Sequence, residues 1–166
     1  DGLPVERVGG IEPGKVSRKI RARGIRMIKV KVGGKAGPAH DLARVAAIHE
    51  VAPDSPLILD GNAGLSRAAA TELVRGLKAR GIVPALLEQW LAKDDLAGAR
   101  ALMAESGWLV AADETVTRAD DARRVVAEPH VDAMVAAAVE PAEIAVRLAV
   151  AFGGPGRRLV PVDEYR

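Results

Sequence analysis

Apolar residues gather into short runs of strand length that recur roughly 23 to 31 positions apart. Most runs are separated by a stretch with helical periodicity and closed by Gly, Pro or Asn. The pattern predicts strands at Val5 to Ile11, Arg26 to Val32, Leu57 to Asp60, Ala85 to Glu88, Leu109 to Asp113, Val131 to Ala136 and Leu159 to Val162. Between them it predicts helices at Gly14 to Arg23, His40 to Val51, Arg67 to Arg80, Leu96 to Ser106, Ala119 to Ala127 and Ala142 to Phe152. Ser66 and Asp94 stand where N-caps are expected.

Alternation of this kind implies parallel neighbours, because a parallel pair needs a crossover and the crossovers here are helical. The fold class is therefore α/β, and two architectures compete, an open doubly wound sheet and a barrel. GGIEPGK, after the first strand, is neither a dinucleotide fingerprint nor a P-loop. Polar residues at successive strand C-termini suit a barrel, whose site gathers at that face. The 166 residues fit a single domain, residues 1–166, but fall short of the roughly 250 of a closed eight-unit barrel. The expectation is a parallel (β/α) barrel of the TIM type, incomplete at about seven strands and without a capping domain.

Composition changes this picture only in detail. Aromatics make up 2% of the chain against 49% hydrophobic residues, so Ala, Val, Leu and Ile must fill the core. The net charge is +2, and the basic excess sits in Lys15, Arg18, Lys19, Arg21, Arg23 and Arg26. With no aromatic residues interleaved, that stretch reads as a solvated helix face rather than a nucleic-acid surface. The chain has no cysteine, which excludes disulfides, thiolate metal sites and cysteine nucleophiles within it. It holds no apolar run of membrane-spanning length and no signal-like N-terminal segment, so a cytoplasmic protein with no membrane partner is expected.

The chemistry begins at IKVKVGG, where Lys29 and Lys31 lie two apart on a strand and point to one face. Neighbouring positive charge and partial burial both disfavour protonation, which would bring a lysine towards the range of a general base. Two lysines on a solvated strand face are the ordinary alternative. Three later strands each end in an acid: Asp60 in LILDGNAG, Glu88 in LLEQW and Asp113 in VAADET. Each could be a turn, surface or cap residue. Together, at the ends of consecutive parallel strands, they converge on the barrel mouth, and hard oxygen donors of this kind suit Mg²⁺, with Mn²⁺ as the alternative.

These words in this order, KVKVG, LDGN, LEQ and ADET, resemble the mandelate racemase and muconate lactonizing enzyme branch of the enolase superfamily, with spacing closest to the dipeptide epimerases. The resemblance runs from about Gly24 to Ala133. It implies that Asp60, Glu88 and Asp113 hold the metal, that Lys31 removes a proton α to a carboxylate, and that Lys29 depresses its pKa and helps hold the substrate carboxylate. Asn62 and Gln89 would orient the ligands or the substrate. The implied partner is a small carboxylate substrate, and the implied activity is that of an isomerase, epimerase, cycloisomerase or lyase.

The chain departs from that pattern in places. Ala137 stands where the family carries a further lysine on the opposite face of the substrate, Trp90 replaces a common proline, and the last predicted strand contains Pro161. No cap or eighth strand is recognised. A second reading follows: a non-catalytic, shortened barrel that keeps its metal acids by descent and associates with itself or another chain through open edges. His40, His49 and His130 share no metal spacing, Trp108 reads as core, and Ser66 and Thr115 read as caps.

Overall fold

A computed structural model of the chain describes residues 27–118, 120, 121, 124, 125, 133–136 and 149–151. In chain order they form β1 (Ile28–Lys31), α1 (Pro38–Val51), β2 (Leu57–Asp60), α2 (Arg67–Ala79), β3 (Leu86–Glu88), α3 (Leu96–Ser106), β4 (Val110–Ala112), β5 (Ala133–Ala136) and β6 (Ala149–Ala151). The predicted strands at Val5 to Ile11 and Leu159 to Val162, and the helix at Gly14 to Arg23 with its basic residues, lie outside the described residues. The helix expected over Ala119 to Ala127 is helical at its described positions, 120, 121, 124 and 125.

The strands stand side by side in sequence order, β1 to β6, and each neighbour from β1 to β5 is parallel to the last. A doubly wound sheet reverses its strand order at a switch point, whereas an unbroken sequential order is the winding of a barrel wall. The α/β fold class and the barrel-type topology therefore match the sequence pattern. One element differs. Within the span predicted as a helix over Ala142 to Phe152, the described residues 149–151 form β6 instead, which runs antiparallel to β5 with Val135 opposite Ala149. A short, wholly apolar run such as LAVAF carries no period that separates helix from strand, and pairing with the exposed edge of β5 decides in favour of strand.

Local chemistry explains the helix boundaries. Pro38 occupies the first turn of α1 after Gly37, where its missing N–H costs nothing. Ser66 caps α2 by accepting from Ala69 N at 3.2 Å. The cap of α3 is Asp95, one residue beyond the predicted Asp94, and it accepts from Gly98 N at 2.9 Å. Gly107 closes α3 in the left-handed region, φ 75°, returning its N–H to Met103 O. No described helix is long and apolar enough to cross a membrane.

The core lies between the sheet and one face of the helices. Leu57, Leu59 and Leu87 of the strands pack with Val45 of α1 and with Leu73, Val74 and Leu77 of α2, all essentially without solvent contact. Removing the Leu77 side chain to Ala would cost about 2–5 kcal/mol by lost transfer energy and the cavity left behind. Trp108 packs half-buried against this core, as expected, with the Lys78 ammonium 5.9 Å from its ring centre. The clustered core side chains are apolar, and the buried acids Asp60 and Glu88 stand at the C-terminal strand ends.

Candidate active site

β1 alternates strictly, with Ile28 and Val30 buried and Lys29 and Lys31 on the opposite, solvent-reaching face. Register carries that face across the sheet: Lys31 pairs with Asp60, Asp60 with Glu88, and Glu88 with Ala111. Directly paired residues project to the same side, so Lys29, Lys31, Asp60 and Glu88 share one face. Asp113, two residues beyond Ala111, joins them one step further along.

The ammonium of Lys29 lies 2.7 Å from both Glu88 oxygens and 3.0 Å from Asp60 Oδ2. Lys31 Nζ lies 3.0 Å from the same Asp60 oxygen and donates to Asn62 Oδ1. Asp60 is 1% exposed and Glu88 6%, so two nearly dry carboxylates meet two ammonium groups that reach solvent. Asp60 Oδ1 accepts from Asn62 N at 3.1 Å, but buried Oδ2, although close to both lysines, receives no well-aligned hydrogen bond.

The loop after β2 is strapped to the end of β3. Gly61 N donates to Glu88 O, Ala63 N to Gln89 O and Leu65 N to Trp90 O, at 2.7–2.9 Å. A Cβ on Gly61 would sit 2.6 Å from Trp90 Cα, so LDGN needs glycine for close approach of two backbones. Asn62, φ 42°, then projects to the mouth, accepting from Lys31 and donating Nδ2 to Glu114 Oε1 at 3.1 Å. Trp90, 1% exposed, fills the space beneath and donates its indole N–H to Leu59 O at 2.8 Å, satisfying the one polar atom its burial would strand.

Gln89 does a second fastening. Its Oε1 accepts from Asp113 N at 2.9 Å and Thr115 N at 3.1 Å, and its Nε2 donates to Leu91 O at 3.0 Å. Every polar atom of this buried amide is engaged, and the backbone that carries Asp113 is fixed by it. Thr115 is no helix cap: its buried hydroxyl donates to Lys93 O at 2.8 Å and ties the same loop down.

Burial pushes the Asp60 carboxyl up, but the contacts from Lys31 and Lys29 and the Asn62 N–H outweigh it, leaving it below the usual carboxylate range. Partial burial pulls Lys29 down, yet its hydrogen bond to Glu88 and its close contact with Asp60 prevail and raise it. That reverses the direction expected from Lys29 and Lys31 alone, because cross-strand carboxylates, invisible to the spacing of two lysines, dominate the field. Asp113 is displaced upwards, by burial first and by Glu114 second, against the opposing pull of Lys29.

Lys29, Lys31, Asp60, Glu88 and Asn62 are thus in direct contact, while Asp113 senses them only through its field. Among the described residues no group of three or more His, Asp or Glu side chains stands arranged to hold a metal ion. The donor set nevertheless fits a hard cation. Lys29 bridges Asp60 and Glu88 as a positive charge, Asp60 Oδ2 and Glu114 Oε2 are buried without aligned donors, and Asp113 has no charge-compensating partner among the described side chains. His40 and His49 lie half-buried on α1, while His130 and Ala137 fall outside the described residues.

Three residues escaped sequence reasoning. Glu114, next to Asp113 in ADET, meets Asn62; Asp41 and Arg44, on α1, meet the backbone after β1. The signal for the last two was an Asp in the first helical turn, on the buried side, with an Arg three residues on.

A family model described as Enolase C-terminal domain-like matches residues 14–151. An aromatic dipeptide epimerase of Herpetosiphon aurantiacus is 45% identical over 112 residues, covering 68% of this chain and 31% of that protein. A solved mandelate racemase/muconate lactonizing enzyme from Roseiflexus sp. superposes with a TM-score of 0.68 at 46% identity, over 74% of this chain and 35% of that one. A dipeptide epimerase from Cytophaga hutchinsonii, solved in complex with Mg and the dipeptide D-Ala-L-Val, gives 0.65 at 26% identity, over 75% and 34%. The chain spans 28–41% of the length of the curated relatives it matches.

Proposed function

The chain belongs to the enolase C-terminal domain-like family, and on that premise we propose that its strand mouth removes the proton α to the carboxylate of a small substrate of the dipeptide class, with Lys31 as the base. The observation that carries this reading is the contact of Lys29, Lys31, Asp60 and Glu88 on one face of three adjacent parallel strands, none of the ion pairs longer than 3.0 Å. Named dipeptide epimerases among the relatives support the substrate class and favour turnover over a non-catalytic barrel.

Asp60, Glu88 and Asp113 would hold Mg²⁺, which supports charge build-up on the substrate carboxylate as the proton leaves. The magnesium complex of the Cytophaga hutchinsonii enzyme supports that choice of ion. Lys29, beside Asp60 and Glu88, would present its ammonium to the substrate carboxylate as a point charge. Lys31, reaching solvent beside it, takes the α-proton, and Asn62 orients its amine. Gln89 keeps the Asp113 backbone still, so that its carboxylate would be held in place as a ligand without a loop having to be ordered first. Inversion of configuration needs a proton donor on the far side of the substrate, and because position 137 is alanine that donor must be another residue.

The test is a Mg²⁺ titration of the full natural chain followed by deuterium exchange from solvent into the Cα of a panel of dipeptides. Exchange that depends on Mg²⁺ and falls by about 10³-fold in Lys31→Ala is the expected result. No binding at millimolar Mg²⁺ overturns the ligand assignment, and a Lys31→Ala variant that exchanges as fast as the parent overturns the base.

A further inference from the structure

An ion pair between buried Asp41 and half-buried Arg44 braces the strand end that carries Lys31, and we propose that Asp41 and Arg44 are positioning residues for that lysine, an inference that rests on the reading of Lys31 as base. Asp41, in the first turn of α1, is 2% exposed. One of its oxygens accepts from Gly33 N at 2.7 Å, and the other accepts from Arg44 Nη1 at 3.2 Å. The same Nη1 donates to the carbonyl of Lys31 at 3.1 Å. A single ion pair thereby holds the backbone groups on both sides of Val32.

Strand geometry explains why those two groups need a partner. Ile28 N and Val32 N donate to Pro56 O and Asp60 O, so the even-numbered residues of β1 turn their backbone groups towards β2. In a parallel ladder the alternate residues point the other way. The Lys31 carbonyl and the Gly33 N–H therefore face away from β2, and Asp41 and Arg44 supply the partners that the β1–β2 ladder cannot. Gly33 is in the left-handed region, φ 81°, and marks where the chain leaves the strand.

The consequence reaches the base through its own main chain. The Lys31 side chain is 65% exposed and anchored at its tip by Asp60 and Asn62, so its root is the other place where direction is set. A carbonyl free to rotate would swing the Cα–Cβ bond of Lys31 and move the amine across the mouth, while Asp60, Glu88 and Asp113, held by β2, β3 and Gln89, would stay in place. Asp41 and Arg44 should thus affect proton transfer and spare metal binding. That separates them from a pair that only staples a helix to a sheet.

The experiment uses the full natural chain with saturating Mg²⁺ and the dipeptide of the panel that the parent exchanges fastest. Arg44→Ala is expected to lower kcat for α-proton exchange about 10²-fold, with KM and Mg²⁺ affinity within about twofold of the parent. The isotope effect from α-deuterated substrate should rise, because proton transfer becomes more fully rate-limiting. Arg44→Lys, which restores a cationic donor, should recover part of the loss, and Asp41→Asn, which keeps an acceptor for Gly33 N but no charge for Arg44, should fall between. Lys31→Ala, run in parallel, tests the base itself. If Lys31→Ala is inactive while Arg44→Ala matches the parent, the positioning role is overturned and the base stands. If the Arg44→Ala loss equals its loss of folded protein, with an unchanged isotope effect, the pair is a structural staple. If Lys31→Ala exchanges normally, the base reading falls first and this inference with it.

Discussion

The two halves of the strand mouth carry the same kind of residue in opposite electrostatic states. On the side of β1, β2 and β3, two ammonium groups stand against two buried carboxylates, and Asp60 is held below the usual carboxylate range. On the side of β4, Asp113 is pushed above it, with Glu114 adjoining and the lysines acting only at a distance. One half is already neutralised by the chain, and the other has negative charge to spare. The difference teaches where an added cation is most needed: the lysines satisfy Asp60 and Glu88 for now, and Asp113 is the acid whose charge the protein alone leaves expensive.

The largest expected effect breaks the neutralised half. Lys31→Ala should slow α-proton exchange by about 10³-fold, equivalent to about 4 kcal/mol of barrier, measured as deuterium incorporation at fixed Mg²⁺. Next comes the fastening between the halves. Gln89→Ala leaves Asp113 N and Thr115 N without their buried acceptor, and should cost about 1–3 kcal/mol of stability by urea denaturation. Asp113→Asn sharpens the contrast, because its two effects have opposite signs. A carboxyl whose folded pKa is raised disfavours the fold when ionised, so the amide should raise the melting temperature of the metal-free protein at pH 7. It should also weaken Mg²⁺ at least about tenfold, a loss of about 1.4 kcal/mol, by calorimetric titration.

The smallest effect lies outside the mouth and calibrates the others. Asp95 pairs with Arg67 and its carboxyl is lowered, chiefly by that hydrogen bond. A carboxyl lowered in the fold lends stability that is present above its unfolded value of 3.8 and is lost as pH falls through the folded value. Asn keeps the cap of α3 but not the charge. The stability gap between parent and Asp95→Asn should therefore be small and constant near neutrality and close below about pH 4, measured by thermal melts across pH.

Much of this was legible in the chain because it depends on period and spacing. Lys29 and Lys31 had to share a face on any strand, and Asp60, Glu88 and Asp113 each closed an apolar run, so one repeating rule brought them to one end of the sheet. Ser66 announced its helix by side-chain chemistry alone. Partners chosen by three-dimensional packing were not legible. The field at Lys29 is set by residues 31 and 59 positions away, and the service of Gln89 to the β4 loop depends on a backbone turned to φ 38°. Neither leaves a local pattern. Asp95 displaced Asp94 as the cap because only the tertiary path of the loop selects between adjacent acids. The apolar run before Phe152 became strand because an edge was there to receive it.

The placement of the two tryptophans gives the molecule a pair of optical reporters. They are the only indoles in the chain. Trp90 is sealed beneath the loop that joins β2 to the mouth, and Trp108 lies half-exposed under Lys78 before β4 begins, at the other end of the strands. A Trp108→Phe protein would emit only from the end of the sheet that carries the lysines and acids, in a dry setting and towards the blue. A change in that emission on adding Mg²⁺ or dipeptide would register movement of the β2 and β3 loops without any label, while the Trp90→Phe counterpart would watch the far end of the sheet unfold.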